Sequence, residues 1–162
     1  MNDAINIVLA SDRNYAQHVA VVAASILSNT KAQVNFHVLS DGILSDKLTL
    51  IEQTIENLGG KVNFYDLSDY DCFDSLFTSG HISKAAYFRL DIANILPKNI
   101  SKVIYMDVDL LVLQDIAALW ATDLQGLPMA AVSDYGIMAS KRLMRQKHRV
   151  IGLPLDSTYF NS

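Results

Sequence analysis

The sequence predicts an α/β fold with a largely parallel sheet flanked by helices, and two observations support this fold class. Short apolar runs alternate with longer helix-length segments along the chain, which is the pattern of βαβ units. Hydrophobic residues make up 51% of the 162 residues and charged residues 19%, a composition typical of a globular chain with a buried core. Since no internal repeat, linker or low-complexity tract interrupts the chain, we expect one domain over residues 1–162.

The first half of the chain predicts two strand–helix pairs. The apolar run at residues 5–10 predicts a buried strand, ended by the polar segment SDRNY. Residues 16–30 have the length and Ala-rich apolar pattern of a helix. Period-2 alternation at residues 33–40 predicts the next strand, and residues 45–60 predict a helix with one apolar face that Gly59 and Gly60 terminate.

The second half predicts three further strands and one helix. Residues 61–67 predict a strand, and residues 83–96 predict a helix that stops before Pro97, because the residue preceding a proline disfavours the helical conformation. Residues 102–107 and 128–134 are the remaining strand candidates. Such strands and helices in alternation favour a sheet with a parallel core.

Charge, cysteine content and hydropathy exclude several classes of protein. The formal net charge is −4, whereas surfaces that track nucleic-acid phosphates are usually basic, so we expect no nucleic-acid partner. Cys72 is the single cysteine, which excludes an internal disulfide and favours a reducing compartment. The first residues lack a basic n-region, and no run approaches the roughly 20 apolar residues of a membrane span. We therefore expect a cytoplasmic protein.

Aspartates follow three of the predicted strands. Asp12 follows the first strand, Asp107 and Asp109 follow the run VIYM, and Asp134 ends the last strand candidate. In open α/β sheets ligands bind beyond the carboxyl ends of the strands, where these acids would lie. Aspartates are also common turn formers and helix caps, and for any single one that interpretation stays open.

The pair Asp107 and Asp109 predicts a metal site. Residues i and i+2 of a strand project to the same face, so two like charges would lie close together and repel. A divalent cation removes that repulsion, and hard carboxylate oxygens suit Mg²⁺ or Mn²⁺, which keep open positions for substrate phosphates. A D-x-D motif also occurs in haloalkanoate dehalogenase-type phosphotransferases, but there it lies on the first strand. Leu111 stands where that motif requires Thr or Val, so we discount this alternative.

Six stretches of the sequence match one known family in the family's order. They are INIVLASDRNYAQHVAVVAASIL, FHVLSDGI, HISKAAYFRLDIANILP, KVIYMDVDLLVLQDIAALWATDL, AAVSD and YFNS. On these motifs the sequence resembles the retaining glycosyltransferases of family 8, especially the bacterial lipopolysaccharide galactosyl- and glucosyltransferases. The resemblance implies a GT-A fold that binds a nucleotide sugar. It also implies Mn²⁺- or Mg²⁺-dependent transfer of a hexose from a UDP-hexose donor to a saccharide or lipid-linked saccharide acceptor.

The resemblance assigns four residues after the first strand to the nucleoside. Ala10, Asp12, Asn14 and Tyr15 match the family segment that holds uracil and ribose. Their chemistry agrees, since Tyr15 offers an aromatic face for stacking and Asp12 and Asn14 offer hydrogen-bonding groups. A capped strand-to-helix turn is the alternative interpretation of the same segment.

Four further residues match the diphosphate and metal positions of the family. Arg89 lies in the donor-binding motif Y-x-R-L, although an ordinary surface arginine would look the same. Asp107 and Asp109 match the metal-binding D-x-D. Val108 between them matches a residue that contacts the nucleoside through its backbone.

Three residues match the sugar side of the family site. Asp134 matches an aspartate at the donor sugar and acceptor, and Asn161 matches an asparagine that hydrogen-bonds the transferred sugar; both are the catalytic candidates. His81 matches a histidine on the acceptor side, although a cap or surface role is commoner. No residue is a convincing covalent nucleophile, and the resemblance implies front-face attack within one ion pair.

The sequence ends at TYFNS, inside the family motif YFNxG, so the resemblance implies a C-terminally incomplete GT-A domain. The third metal ligand of the family, a histidine, has no counterpart here. Two hypotheses stay open: a fragment or truncated product of a transferase, or a catalytically inactive UDP-binding or interaction module. We expect the truncated chain to self-associate. For the full-length parent we expect a role in lipopolysaccharide or cell-surface glycan synthesis and a peripheral contact with the inner membrane face.

Overall fold

The computed structural model describes residues 4–78, 83–154, 157–158 and 160. The chain divides into two compact units, Met1–Ala121 and Thr122–Ser162. The first unit contains the sheet and the helices that cover it.

The sheet of the first unit is parallel throughout, which confirms the predicted fold class. Its strands are β1 (Ile5–Asp12), β2 (Val34–Asp41), β3 (Lys61–Asp66) and β4 (Ile104–Met106). They have the order β3-β2-β1-β4, and each neighbouring pair runs parallel. Because β1 lies between β2 and β4, it is a central strand with neighbours on both sides.

The sequence of β1 is apolar on both faces because both faces of the sheet are covered. Ile7 and Leu9 belong to the core beneath the helices of one face, whereas Val8 belongs to the core of the other face, and all three are buried. A strand covered on both sides is expected to be continuously apolar instead of alternating. This explains why the run at residues 5–10 could be recognised as a buried strand.

Two long helices cover the first face. Helix α1 (Ala16–Asn29) buries Val19, Val22, Ala23 and Ile26, at the i, i+3, i+4 and i+7 spacing of one helix face.

Helix α2 (Ser45–Asn57) ends at the two glycines that the sequence predicted. Gly59 has a φ of 84°, and its N–H donates to Glu56 O at 2.9 Å while that of Gly60 donates to Ile55 O at 3.0 Å. This is the Schellman arrangement, in which a residue with positive φ closes the last turn of a helix.

Short helical segments cover the second face. A 3₁₀ helix, Lys84–Asp91, continues into α3 (Ile92–Ile95), where the sequence predicted a single helix over residues 83–96. Phe88 of this segment is buried against the core that contains Val8. A further 3₁₀ turn, Asp71–Phe73, precedes it.

The segment after β4 is tied to α1. The N–H of Val112 donates to Ser25 Oγ at 3.0 Å, and Asn29 Nδ2 donates to Val112 O at 2.9 Å. The N–H of Ile116 donates to Thr30 Oγ1 at 3.2 Å, just before α4 (Ala117–Trp120). These bonds fix the path of the chain that leaves the Asp107–Asp109 segment.

The second unit is helical where it is regular. It contains α5 (Tyr135–Met138) and α6 (Lys141–Ile151). The strand predicted at residues 128–134 is wrong: in the described part of the chain the segment makes only one antiparallel bridge, between Ser133 and Phe160. An apolar run needs a neighbouring strand to satisfy its backbone groups, and the described residues supply no such ladder.

Helix α6 contains the densest positive charge of the chain. Five of the thirteen lysines and arginines lie within its eleven residues, and none of its residues is acidic. A basic helix of this kind fits either a solvated face or a contact with an anionic lipid or a phosphorylated sugar. Among the described residues, no helix combines the length and apolar character that crossing a membrane requires.

Candidate functional site

Each strand of the sheet ends in or next to an aspartate. In sheet order these are Asp66, Asp41, Asp12 and Asp107, and Asp12 and Asp41 are direct partners in the register of β1 and β2. A cavity of about 630 Å³ lies at the carboxyl ends of β1 and β4. This is the edge at which the sequence predicted a ligand site.

The cavity brings together the predicted site residues that the structure describes in the first unit. Eight of them line it: Ala10, Asp12, Asn14, Tyr15, Arg89, Asp107, Val108 and Asp109. A second cavity of about 460 Å³, lined by residues such as Asn35, His37 and Tyr65, contains none of them. The residues assigned to nucleoside, diphosphate and metal therefore share one cavity, and their roles there remain predictions.

Asp12 builds the turn from β1 into α1. Its Oδ1 accepts hydrogen bonds from the N–H groups of Asn14 at 2.8 Å and Tyr15 at 3.1 Å. The backbone N–H of Tyr15 also donates to Asp12 O at 3.3 Å. The alternative interpretation, a carboxylate that caps a strand-to-helix turn, therefore describes the local geometry. This capping role is compatible with a binding role, because the same turn places Tyr15 at the cavity wall.

The ring of Tyr15 is accessible at the cavity wall. The residue is 49% exposed, and its ring lies 4.9 Å from that of His18, which supports it from the helix side. An exposed aromatic ring on a fixed turn is suited to stacking on a flat base.

Arg89, Tyr105 and Asp107 form one cluster in the cavity. Arg89 Nη2 lies 3.5 Å from Asp107 Oδ1, and its guanidinium carbon lies 4.9 Å from the centre of the Tyr105 ring. Arg89 Nε donates to Ala86 O at 2.7 Å, and the Tyr105 hydroxyl donates to Asp107 Oδ1 at 3.3 Å. Arg89 therefore faces an anionic group and an aromatic ring, which distinguishes it from an ordinary surface arginine.

Tyr105 stays protonated near neutral pH. Burial, with the negative charge of Asp107 as a further cause and Arg89 opposing it, raises the pKa of Tyr105 to about 12. Its hydroxyl is consequently a hydrogen-bond donor throughout the physiological range.

The two predicted metal ligands lie just beyond the strand. Since β4 ends at Met106, Asp107 and Asp109 lie in the following bend, not on one face of a strand as the i, i+2 argument assumed. Both nevertheless line the same cavity. Their oxygens fit a hard divalent cation such as Mn²⁺ or Mg²⁺. No group of three or more His, Cys, Asp or Glu side chains comes together in the described ranges, so the pair would supply only part of a coordination shell.

None of the three residues predicted on the sugar side belongs to the described part of the first unit. Asp134 belongs to the second unit, where its Oδ1 accepts a hydrogen bond from the N–H of Ile137 at 2.9 Å and caps α5. Asn161 and His81 lie outside the described residues.

The cavity also contains residues that the sequence argument missed. They are Ser11, Thr78, Ser83, Lys84, Ala85, Ala86 and Tyr105. Lys84 Nζ lies 2.9 Å from Asp74 and 3.2 Å from Ser68 O, and the hydrogen bond to Asp74 raises the pKa of Lys84. Tyr105 carried a usable signal, since it precedes Asp107 by two residues.

Comparison with known proteins gives one consistent result. The model of glycosyl transferase family 8 matches residues 6–162. General stress protein A of Bacillus subtilis is 31% identical, in an alignment covering 99% of this chain and 54% of that protein. A putative glycosyltransferase of Haemophilus influenzae is 33% identical, covering 98% of this chain and 46% of that protein.

Solved structures agree with the sequence relatives. The galactosyltransferase LgtC, in complex with donor and acceptor sugar analogues, superposes with a TM-score of 0.84 at 30% identity, covering 98% of this chain and 55% of LgtC. The fold is therefore the GT-A fold of such enzymes. The chain spans about half the length of the relatives it matches.

Removal of the Asp12 carboxylate should destabilise the turn that supports Tyr15. For Asp12→Ala we expect a loss of about 1 kcal/mol in the free energy of unfolding, the usual cost of losing a side-chain cap. Asp12→Asn keeps an oxygen acceptor and should lose less. Urea unfolding followed by circular dichroism measures both, and an Ala variant as stable as wild type would show that the two bonds to Oδ1 contribute nothing.

Proposed function

The chain belongs to glycosyl transferase family 8, and from this membership we propose that the protein transfers a hexose from a UDP-sugar to a saccharide acceptor with retention at the anomeric carbon. The observation that carries the proposal is the single cavity lined by the eight residues assigned to nucleoside, diphosphate and metal. Because the relatives are about twice as long, transfer is proposed for the whole protein and donor binding for this chain.

The nucleoside half of the proposed site uses the β1–α1 turn. Tyr15 would stack on uracil, while Asn14 and the backbone around Ala10 offer hydrogen-bonding groups to the base and ribose. The support is the accessible ring of Tyr15 and the hydrogen-bonded Asp12 turn beneath it.

The diphosphate half uses the segment after β4. Asp107 and Asp109 would hold Mn²⁺ or Mg²⁺, a cation that, when bound, neutralises charge developing on the UDP leaving group. Arg89 adds a fixed positive charge at the same wall of the cavity. The arrangement suits a dianionic group, because an arginine and a carboxylate-bound cation would both attract phosphate oxygens.

The remaining assignments belong to the proposal for the whole protein. Asp134 and Asn161 would orient the transferred sugar, with His81 on the acceptor side. The acceptor would be a saccharide or lipid-linked saccharide of lipopolysaccharide or another cell-surface glycan. A cytoplasmic enzyme with a peripheral contact to the membrane would meet such an acceptor.

Metal-dependent UDP binding tests the donor site directly. We expect UDP to bind this chain more tightly with Mn²⁺ than with EDTA, and we expect Asp107→Asn and Asp109→Asn each to abolish that difference, because each removes a charged oxygen ligand. Isothermal titration calorimetry measures the affinities. Asp46→Asn, an exposed acid in the first turn of α2, is the matched control and should behave as wild type.

Unchanged Mn²⁺-dependent affinity in both Asp variants would contradict the metal assignment. UDP release from UDP-Gal or UDP-Glc then separates the two functional hypotheses. Release by the whole protein supports a transferase, and Mn²⁺-dependent UDP binding without release from any UDP-hexose supports a binding module.

Tyr15 tests the nucleoside half. Tyr15→Ala should weaken UDP binding by roughly 1–3 kcal/mol, the range for stacking of a base on an aromatic ring. Tyr15→Phe should bind nearly as wild type, because the ring remains. Equal affinity in the Ala variant would mean that Tyr15 only supports the turn.

A further inference from the structure

Tyr105 contacts both charged side chains that face each other in the cavity. Its hydroxyl donates to Asp107 Oδ1 at 3.3 Å, and its ring lies under the Arg89 guanidinium at 4.9 Å. We propose that Tyr105 is a positioning residue that orients Asp107 for a divalent cation and Arg89 for the donor diphosphate. The inference rests on the proposed function, since it concerns the same donor site.

The two carboxylate oxygens of Asp107 differ in their contacts. The hydrogen bond from Tyr105 and the 3.5 Å contact of Arg89 Nη2 both involve Oδ1, so neither of these contacts uses Oδ2. A carboxylate held at one oxygen keeps its other oxygen for a cation. Partners of this kind fix the orientation of a ligand, and their loss typically lowers metal affinity about 10–100-fold.

Arg89 is held in a similar way from two sides. Its Nε donates to Ala86 O at 2.7 Å, and its guanidinium carbon lies 4.9 Å from the centre of the Tyr105 ring. An arginine held by a ring and a carbonyl loses little further conformational freedom when it binds phosphate. The ring of Tyr105 thus serves Arg89, whereas its hydroxyl serves Asp107.

Tyr105 is itself fixed by the sheet. It lies on β4 in register with Val8 of β1, and its ring packs against the core that contains Val8 and Phe88. Through Tyr105, the positions of Arg89 and Asp107 therefore depend on the central strand β1. Asp107 itself lies just beyond the end of β4.

Two substitutions separate the two contacts. Tyr105→Phe removes the hydroxyl and keeps the ring, so we expect Mn²⁺ affinity at fixed UDP to fall about tenfold, with UDP affinity at saturating Mn²⁺ unchanged. Tyr105→Leu removes the ring as well, and UDP affinity at saturating Mn²⁺ should fall about threefold, the loss of one cation–π contact. Manganese is titrated by electron paramagnetic resonance and UDP by calorimetry, so neither readout depends on turnover.

Tyr65→Phe is the control. It also removes a strand tyrosine hydroxyl with one hydrogen bond, here to His37 Nδ1 at 3.0 Å, away from this cavity. It should leave both affinities unchanged.

A Tyr105→Phe variant with wild-type Mn²⁺ affinity, or an equal loss in Tyr65→Phe, would overturn the role of the hydroxyl. A Tyr105→Leu variant that behaves like Tyr105→Phe would overturn the role of the ring. Wild-type protein that binds no Mn²⁺ would overturn the proposed metal site together with this inference.

Discussion

The parallel pairing of β1 with β4 places the Asp12 turn beside the Asp107–Asp109 bend, although about ninety residues separate them in sequence. Three register pairs hold the two strands together: Ile7 with Ile104, Val8 with Tyr105 and Leu9 with Met106. Since parallel strands end at the same edge, polar residues that follow them must meet there. The two sides of the cavity, formed by the Asp12 turn and by the Asp107–Asp109 bend, depend on this one pairing.

The parallel sheet also concentrates negative charge at the edge where its strands end, and nearby cations offset part of this charge. Asp12 and Asp41 are neighbours in the register, and burial raises the pKa of Asp41, while Lys84 acts in the opposite direction. The Arg89 guanidinium, with Nη2 3.5 Å from Asp107 Oδ1, partly balances the negative charge of that carboxylate. The chain as a whole carries a formal charge of −4. At this cavity, however, an arginine and a carboxylate-bound cation would together attract phosphate.

The sheet could be predicted from sequence because its strands have local signals, whereas the second unit could not. Burial on both faces requires the continuous apolar run of β1. The positive φ of Gly59 favours a glycine after α2. Both requirements are visible in the sequence. Residues 128–134 are also an apolar run, but they have no strand partner in the described ranges. Whether a segment finds such a partner depends on the rest of the chain, so it cannot be predicted from the segment alone.

At the site, aspartates follow strands in sequence, so Asp12 and Asp107 could be found. Lys84 and Tyr105 could not be assigned from type alone, because their roles come from contacts with Asp74, Arg89 and Asp107.

The proposed donor site consists of residues 10–15 and 105–109 around a divalent cation. A crystal structure of the chain with UDP and Mn²⁺, with diffraction recorded at the manganese absorption edge, tests it most directly. We expect an anomalous peak within about 2.0–2.4 Å of oxygens from both Asp107 and Asp109, the distances of hard-cation coordination, with uracil against Tyr15. A peak elsewhere, or UDP bound outside this cavity, would contradict it.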